Sequence, residues 1–104
     1  MRVLFTSLPA TGHFNSIMPT ARAVAAAGHD VAVCTTGRYA DEVTRAGLLH
    51  LAGGADSLAE MAADGPPMGD PGRPRFMQLE VFAGRAAQRL IPDLLKHILS
   101  LIHI

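Results

Sequence analysis

A histidine in a short glycine-containing loop is the residue of this sequence best placed to do chemistry. His13 follows Gly12, between a predicted strand at residues 2–7 and a predicted helix whose N-cap is Asn15 or Ser16. A helix N terminus carries partial positive charge, which disfavours a protonated imidazole. Neutral imidazole is the form that can accept a proton from a substrate, so His13 is a candidate general base. The alternative interpretation is a histidine that lines the turn and bonds to backbone.

The elements that must position His13 are predicted as a strand, a loop, a helix and a second strand. Residues 2–7 and 31–34 are short apolar runs, which are typical of buried parallel strands. Residues 9–13 are predicted as loop, with Pro19 in the first turn of the following helix and Gly28 at its end. The predicted sheet-facing side of that helix consists of Ile17, Ala21, Val24 and Ala25. Because open α/β sheets bind ligands at the carboxyl ends of their strands, His13 lies at the predicted binding edge.

The remaining chain predicts one more strand and two more helices. A helix is predicted at residues 38–46, with Tyr39, Val43 and Ala46 facing the sheet, and a third strand follows at residues 48–52. Residues 53–74 are rich in glycine and proline and are predicted as a long loop with one or two helical turns at 57–63. Residues 75–95 return to helical spacing, with a kink or restart expected near Pro92. The predicted inner face of this last helix comprises Phe76, Leu79, Ala83, Ala86, Leu90 and Leu94.

The chain has 104 residues, enough for one domain at most. Its hydrophobic content of 49% and mean hydropathy of +0.24 favour a globular chain with a core. The formal net charge is zero and the basic residues form no stripe, so nothing predicts binding to nucleic acid or to a membrane surface. No apolar run is long enough to predict a membrane span. The single cysteine, Cys34, lies in the predicted second strand and favours a packing role in a cytoplasmic protein.

Residues 12–15, Gly-His-Phe-Asn, followed by Pro19 and by Ala-Ala-Gly-His-Asp-Val before the second strand, resemble a known family. The stretch is similar to the N terminus of nucleotide-sugar glycosyltransferases of the GT-B fold. The closest likeness is to the inverting family that glycosylates macrolides, other polyketides and small molecules of plants and animals. The likeness extends from residue 1 to about residue 95 and is strongest through residue 36. One departure is Ser16, where many members of the family have proline.

The resemblance implies roles for five residues in the predicted loop and directly after it. His13 would be the general base, taking the proton from an acceptor hydroxyl as its oxygen attacks the anomeric carbon. Thr11, Gly12, Phe14 and Asn15 would be substrate-binding residues that shape the loop around the reacting atoms. The acceptor would be a polyketide, macrolide or phenolic aglycone, and the loop at residues 53–74 would help to shape its pocket. A helper protein or a homodimer stays open as a partner.

The resemblance implies a nucleotide-diphosphate sugar as co-substrate, bound mainly by a second domain, and neither a metal nor another cofactor. No metal-ligand spacing is found among the five histidines. By their positions, three histidines are given no chemical role: His29 at the other end of the predicted sheet, His50 in the third predicted strand and His103 in the tail.

The predicted fold class is α/β: a Rossmann-like parallel sheet of three strands with helices between them, an incomplete N-terminal half-domain of a GT-B fold. We expect residues 1–98 to form this partial acceptor-side domain and residues 99–104 to be a non-native tail, because the latter do not resemble the family. The fourth strand, the acidic partner of the histidine and the donor-binding domain of the family have no counterpart in the 104 residues. The chain alone is therefore expected to be inactive.

Two other functions are considered for the same residues. The first is a non-catalytic helper or binding remnant of the same fold, which would have no need of His13. The second is a nucleotide-binding Rossmann oxidoreductase. This function is disfavoured because the first loop lacks the G-x-G-x-x-G pattern and no acidic residue follows the second strand.

Overall fold

Three parallel strands with helices between them form an α/β unit, as the sequence predicts. The computed structural model describes the backbone of residues 1–102 and the side chains of residues 1–100, so the last two residues of the predicted tail, including His103, lie outside the described part. The elements are β1 (Arg2–Thr6), α1 (Thr11–Ala26), β2 (Asp30–Thr35), a 3-10 turn (Gly37–Tyr39), α2 (Ala40–Arg45), β3 (Leu49–Ala52), α3 (Leu58–Met61), α4 (Arg73–Phe76), a π-helical segment (Met77–Ala86) and α5 (Ala87–Ile102). The sheet has the order β1-β2-β3, with every pair parallel.

The core lies on one face of this sheet, beneath α1 and α2. Val3 pairs with Val31 and Phe5 with Val33, so alternate residues of β1 and β2 present apolar side chains to the same side. The buried cluster consists of Phe14, Met18, Ala21, Val31, Val33, Tyr39, Val43 and Leu48. The prediction that Tyr39 and Val43 face the sheet is confirmed.

Helix α1 begins earlier than the sequence predicts. Its first residue is Thr11, and Ala10 precedes it in an extended conformation without a side-chain cap. The first helical hydrogen bond runs from the Phe14 N–H to the Ala10 carbonyl, at 2.9 Å. Asn15 and Ser16 are therefore not caps, and residues 11–13 are helix rather than loop. Packing decides the start, because a helix from Thr11 brings Phe14 and Met18 into the core, and burial outweighs a capping preference.

Pro19 consequently lies inside α1 and not in its first turn. It has no N–H to donate to the Asn15 carbonyl. Both residues are exposed, so water can satisfy that carbonyl. The predicted end of the helix is confirmed, since Gly28 has a φ of 95°, a left-handed conformation that few other residues adopt.

The long C-terminal helix also differs from its predicted form. It runs from Arg73 to Ile102 through a ten-residue π-helical segment, and α5 continues through Pro92 instead of restarting there. Val81 and Ala86 are buried within the π-helical segment, whereas Leu79 of the predicted inner face is 54% exposed. Residues five apart are roughly 140° apart around an α-helix. The i→i+5 pattern of a π-helix places them on one face, which explains why Val81 and Ala86 are buried together.

The loop at residues 53–74 is anchored at both sides. The Thr36 hydroxyl donates to the Asp56 carboxylate at 2.6 Å, which ties the loop to the end of β2. Arg85 of the π-helical segment donates to both carboxylate oxygens of Asp64, at 2.6 and 3.2 Å. This pairing lowers the pKa of the Asp64 carboxyl, through the hydrogen bond first and the charge of Arg85 second.

Helix α5 is fixed to the carboxyl end of β3 by two hydrogen bonds. The Gly54 N–H donates to the Asp93 carboxylate at 2.9 Å. The His97 Nε2 lies 2.8 Å from the Ala52 carbonyl, to which it donates. Among the described helices, none has the length and apolar character that crossing a membrane requires.

Candidate active site

His13 lies in the first turn of α1, which a four-residue connection, residues 7–10, joins to the carboxyl end of β1. It is the third residue of the helix, and its side chain is exposed. Its carbonyl accepts a hydrogen bond of 2.8 Å from the Ser16 hydroxyl, which closes the first turn. The helix start and the strand end together hold the imidazole at the edge of the sheet where α/β proteins bind ligands.

A cavity of about 390 Å³ opens beside His13. Its lining combines hydroxyl groups with apolar side chains: Thr6, Ser7, Leu8, His13, Ser16, Ile17 and Leu90. Leu90 lines this cavity from α5, so the long helix contributes to it as well as α1. A small molecule with a hydroxyl group on an apolar body would match such a lining.

The imidazole contacts one aromatic side chain. The ring centroids of His13 and Phe82 are 5.3 Å apart, with 32° between the ring planes. Phe82 is half-buried and belongs to the π-helical segment. Within residues 1–100, neither imidazole nitrogen has a hydrogen-bond partner, so both remain accessible to a substrate.

The four predicted neighbours of His13 divide into three groups. Gly12 and Asn15 are exposed beside it, and a Cβ placed on Gly12 would meet no atom within 4 Å. Thr11 is exposed as well, but its hydroxyl lies 3.1 Å from the Tyr39 hydroxyl, a hydrogen bond that joins α1 to the 3-10 turn. Phe14 is only 1% exposed and stacks on Tyr39 with centroids 4.2 Å apart. The structure therefore makes Phe14 a core residue, and direct contact with an acceptor is not available to it.

A buried polar network beneath the site was not anticipated from the sequence. The Ser7 N–H donates to the Cys34 carbonyl at 3.2 Å, and the Thr35 hydroxyl donates to the Ser7 carbonyl at 3.1 Å. The His50 Nε2 lies 3.1 Å from the Thr35 carbonyl, which gives this histidine a structural role. The position of Ser7, as the last residue of the predicted first strand, was a signal that could have identified it as a lining residue. The sequence indicates Phe82 only as an aromatic residue of the last helix that could contact an acceptor or pack in the core, and α-helical spacing does not direct it toward α1.

The charge and metal-binding properties of the site are simple. Among the described residues, no group of three or more histidine, cysteine or acidic side chains could hold a metal ion. The thiol of Cys34 is buried, which raises its pKa, and the nearby carboxylate of Asp93 raises it further.

A second and larger groove, of about 920 Å³, lies at the opposite end of the strands. Its lining is mainly apolar and includes Leu4, Ala32, Leu49 and Ile98. It contains Arg2 and Asp30, at the amino ends of β1 and β2, and so lies away from the edge where α/β sheets bind ligands. The smaller cavity at His13 is therefore the candidate active site.

Comparisons with known proteins match this arrangement to one kind of enzyme, although no family model matches the chain. TDP-daunosamine transferase DnrS of Streptomyces peucetius is 42% identical over 62 residues, which are 60% of this chain and 14% of that protein. Aclacinomycin-T 2-deoxy-L-fucose transferase of Streptomyces galilaeus is 31% identical over 97 residues, 91% of this chain and 22% of that protein. Tylactone mycaminosyltransferase of Streptomyces fradiae is 37% identical over 73 residues, 69% of this chain and 16% of that protein.

A solved structure shows the same fold. The glycosyltransferase SsfS6 of Streptomyces sp. SF2575 superposes with a TM-score of 0.75 at 24% identity, covering 92% of this chain and 29% of that chain. The chain thus has the N-terminal Rossmann-like fold of a GT-B enzyme. It belongs to the family of GT-B glycosyltransferases that includes these macrolide and polyketide glycosyltransferases. It spans between 14% and 22% of the length of the three relatives above.

Proposed function

We propose that the protein to which this chain belongs transfers a sugar from a nucleotide-diphosphate donor to a hydroxyl group of a lipophilic small molecule, with inversion at the anomeric carbon and with His13 as the general base. The observation that carries the proposal is the exposed imidazole of His13, without a hydrogen-bond partner in residues 1–100, on the rim of a cavity of mixed polar and apolar lining. The names of the relatives, all transferases, support sugar transfer as the reaction.

The reaction balances with one base and no further reagent. An imidazole nitrogen of His13 takes the proton of the acceptor hydroxyl, and the oxygen forms a bond to the anomeric carbon. The bond between that carbon and the diphosphate oxygen breaks, and the nucleotide diphosphate leaves with the electron pair. Because the oxygen attacks the face opposite the leaving group, the configuration inverts. A positioned base of this kind contributes typically about 10²- to 10⁴-fold to a rate.

The cavity also fits the proposed class of acceptor. Leu8, Ile17 and Leu90 can cover an apolar body, while Ser7 and Ser16 line the same cavity as His13. The donor sugar would bind in the part of the protein beyond these 104 residues, together with the acidic group that we propose orients the protonated imidazole.

The test is a substitution of His13 in the full-length protein. We expect His13→Ala to lower kcat by about 10²-fold or more, because the proton of the hydroxyl then has no acceptor. The free energy of unfolding should change little, because the side chain is exposed. His29→Ala is the matched control, since His29 lies at the other end of the sheet, where its ring contacts the N-terminal amine at 3.2 Å.

The outcome separates the enzyme from a non-catalytic helper. If His13→Ala and the control His29→Ala both keep the transfer rate of the unmodified protein, His13 is not the base. If the protein is a helper, the unmodified full-length protein without any partner should show no transfer. If it is an enzyme, it should transfer the sugar under the same condition. High-performance liquid chromatography of the glycosylated product measures the transfer.

A further inference from the structure

The orientation of the His13 imidazole depends on a single described contact. A histidine on an exposed first turn can occupy more than one staggered rotamer. Neither ring nitrogen is held by a hydrogen bond within residues 1–100, and the ring contact described for His13 is with Phe82, 5.3 Å from it between centroids. An aromatic pair at this distance and tilt favours the rotamer that forms it by about two- to tenfold.

The π-helical segment is what brings Phe82 to this position. Val81 is fully buried and Ala86 is 2% exposed, so the segment is fixed in rotation by two residues five positions apart. Phe82 follows Val81 directly and is turned toward α1 as a result. With α-helical geometry throughout, Val81 and Ala86 could not both face inward, and Phe82 would point in another direction.

The segment is also held in place from its outer side. Arg85 donates to the Met61 carbonyl at 2.5 Å and to Asp64, and its guanidinium lies 5.5 Å from the centre of the Phe76 ring. These contacts join the π-helical segment to α3 and to the loop that follows it. Phe82 therefore belongs to a segment that several contacts hold in place. A residue that positions another side chain must itself be held in this way.

We propose that Phe82 is a positioning residue for His13. It selects the imidazole rotamer from which the ring faces the cavity, and the π-helical segment holds the Phe82 ring against His13. The inference rests on the proposed role of His13 as base. Phe82 itself does not accept or donate a proton in the reaction. Its effect is expected on kcat, because it alters the fraction of enzyme with a correctly oriented base and not the apolar walls that bind the acceptor.

The first experiment observes the contact directly, by NMR of the 104-residue chain labelled at histidine. In Phe82→Leu, we expect the His13 ring protons to lose the ring-current shift that the phenyl group causes, and the His13 side-chain couplings to move toward rotamer averaging. In Phe82→Tyr both should stay as in the unmodified chain. Phe76→Leu is the matched control, because Phe76 lies on the same long helix against Arg85 and has no described contact with His13. Unchanged His13 signals in Phe82→Leu, with the fold intact, would overturn the inference.

The second experiment measures kinetics in the full-length protein. We expect Phe82→Leu to lower kcat by about two- to tenfold with little change in the KM of the acceptor, and Phe82→Tyr to restore kcat. A higher KM with unchanged kcat in Phe82→Leu, or a kcat that Phe82→Tyr does not restore, would contradict the positioning role of Phe82. The two proposals fail separately: if His13→Ala keeps its activity, the base assignment is wrong whatever Phe82 does. If His13→Ala is inactive but Phe82→Leu is unchanged, only the positioning role is wrong.

Discussion

His13 and Phe14 are adjacent in the sequence but serve different purposes. Successive residues of an α-helix point about 100° apart, so one can face the cavity while the next faces the core. His13 is exposed at the sheet edge, and Phe14 stacks on Tyr39 beneath it. The burial of Phe14 fixes the rotation of the first turn, and through it the direction in which His13 projects. We therefore regard the aromatic residue of this motif as the support of the histidine rather than as a ligand-binding residue.

Cys34 provides a prediction about alkaline pH. Its thiol is buried, and burial followed by the charge of Asp93 raises its pKa in the folded state. Below its ordinary pKa of about 8.5 the thiol is protonated in both states, and its contribution to stability is fully present. As the pH rises further, the unfolded chain releases the proton first. The free energy of unfolding then falls by at most about 1.4 kcal/mol per pH unit.

The prediction is checked by urea unfolding at several pH values between about 8 and 10. The free energy of unfolding should fall more steeply with pH in the unmodified chain than in Cys34→Ala. Comparing the two slopes removes the titration of tyrosine and lysine, which both chains share. Equal slopes would mean that the thiol titrates alike in the folded and unfolded states.

At the scale of elements, α1 is governed by packing at its start and by backbone geometry at its end. It begins at Thr11 without a side-chain cap and ends before Gly28, whose φ of 95° is left-handed. Gly12, by contrast, is helical and has open space around its α-carbon. The glycine inside α1 and the glycine that follows it therefore have opposite structural requirements.

These requirements predict opposite effects of alanine. Gly12→Ala should raise the free energy of unfolding by about 0.5–1 kcal/mol, because alanine loses less backbone entropy in a helix. Gly28→Ala should lower it by about 1–2 kcal/mol, because a left-handed conformation brings the new Cβ against the carbonyl oxygen. Thermal and urea unfolding of both variants would measure this difference. A destabilising Gly12→Ala would show that residue 12 is not helical in solution.

Sequence patterns predicted the parallel sheet, its strand positions and the end of α1, because each depends on short-range signals: apolar runs for the strands and a glycine for the helix end. The start of α1 was predicted wrongly, since the choice between a cap at Asn15 and burial of Phe14 is made by the Tyr39 ring, 25 residues away along the chain. The inner face of the last long helix was predicted only in part, for a related reason: Ala86 is buried and Leu90 packs against Gly53, but Leu79 is exposed. Spacing of three and four residues assumes an α-helix, and the π-helical segment changes which residues face inward. The site was thus predicted as far as His13, whereas the contact of Phe82 with His13 was not predicted.

At the scale of the whole molecule, the long helix determines the shape. The Cα radius of gyration is 15.1 Å and the principal extents are 46 × 26 × 19 Å, whereas a compact domain of this length has a radius of about 13 Å. The helix nevertheless meets the sheet closely at one place. There Gly53, at the end of β3, lies against Cys34 of β2 and against Leu90 and Asp93 of α5.

Gly53→Ala tests how closely these elements fit. A Cβ at residue 53 would lie 2.6 Å from the Cys34 sulfur and 3.4 Å from side-chain atoms of both Leu90 and Asp93. Overpacking of this kind typically costs about 1–3 kcal/mol, so we expect a lower free energy of unfolding and faster reaction of Cys34 with a thiol reagent. Gly37→Ala is the control, because a Cβ there meets no atom within 4 Å. Equal stability and thiol reactivity in the two variants would argue against the close fit.

The contact between Gly53 and Cys34 also bears on how such a sequence can change over time. Two positions 19 residues apart share the space of one side chain of modest size. Neither position can therefore accept a larger side chain while the other stays unchanged. A lineage that gains a side chain at position 53 must first, or at once, reduce the one at position 34. The order of such steps matters, since the reverse order passes through an overpacked intermediate. The two positions should therefore be inherited as a pair, with a glycine at one permitting the sulfur at the other.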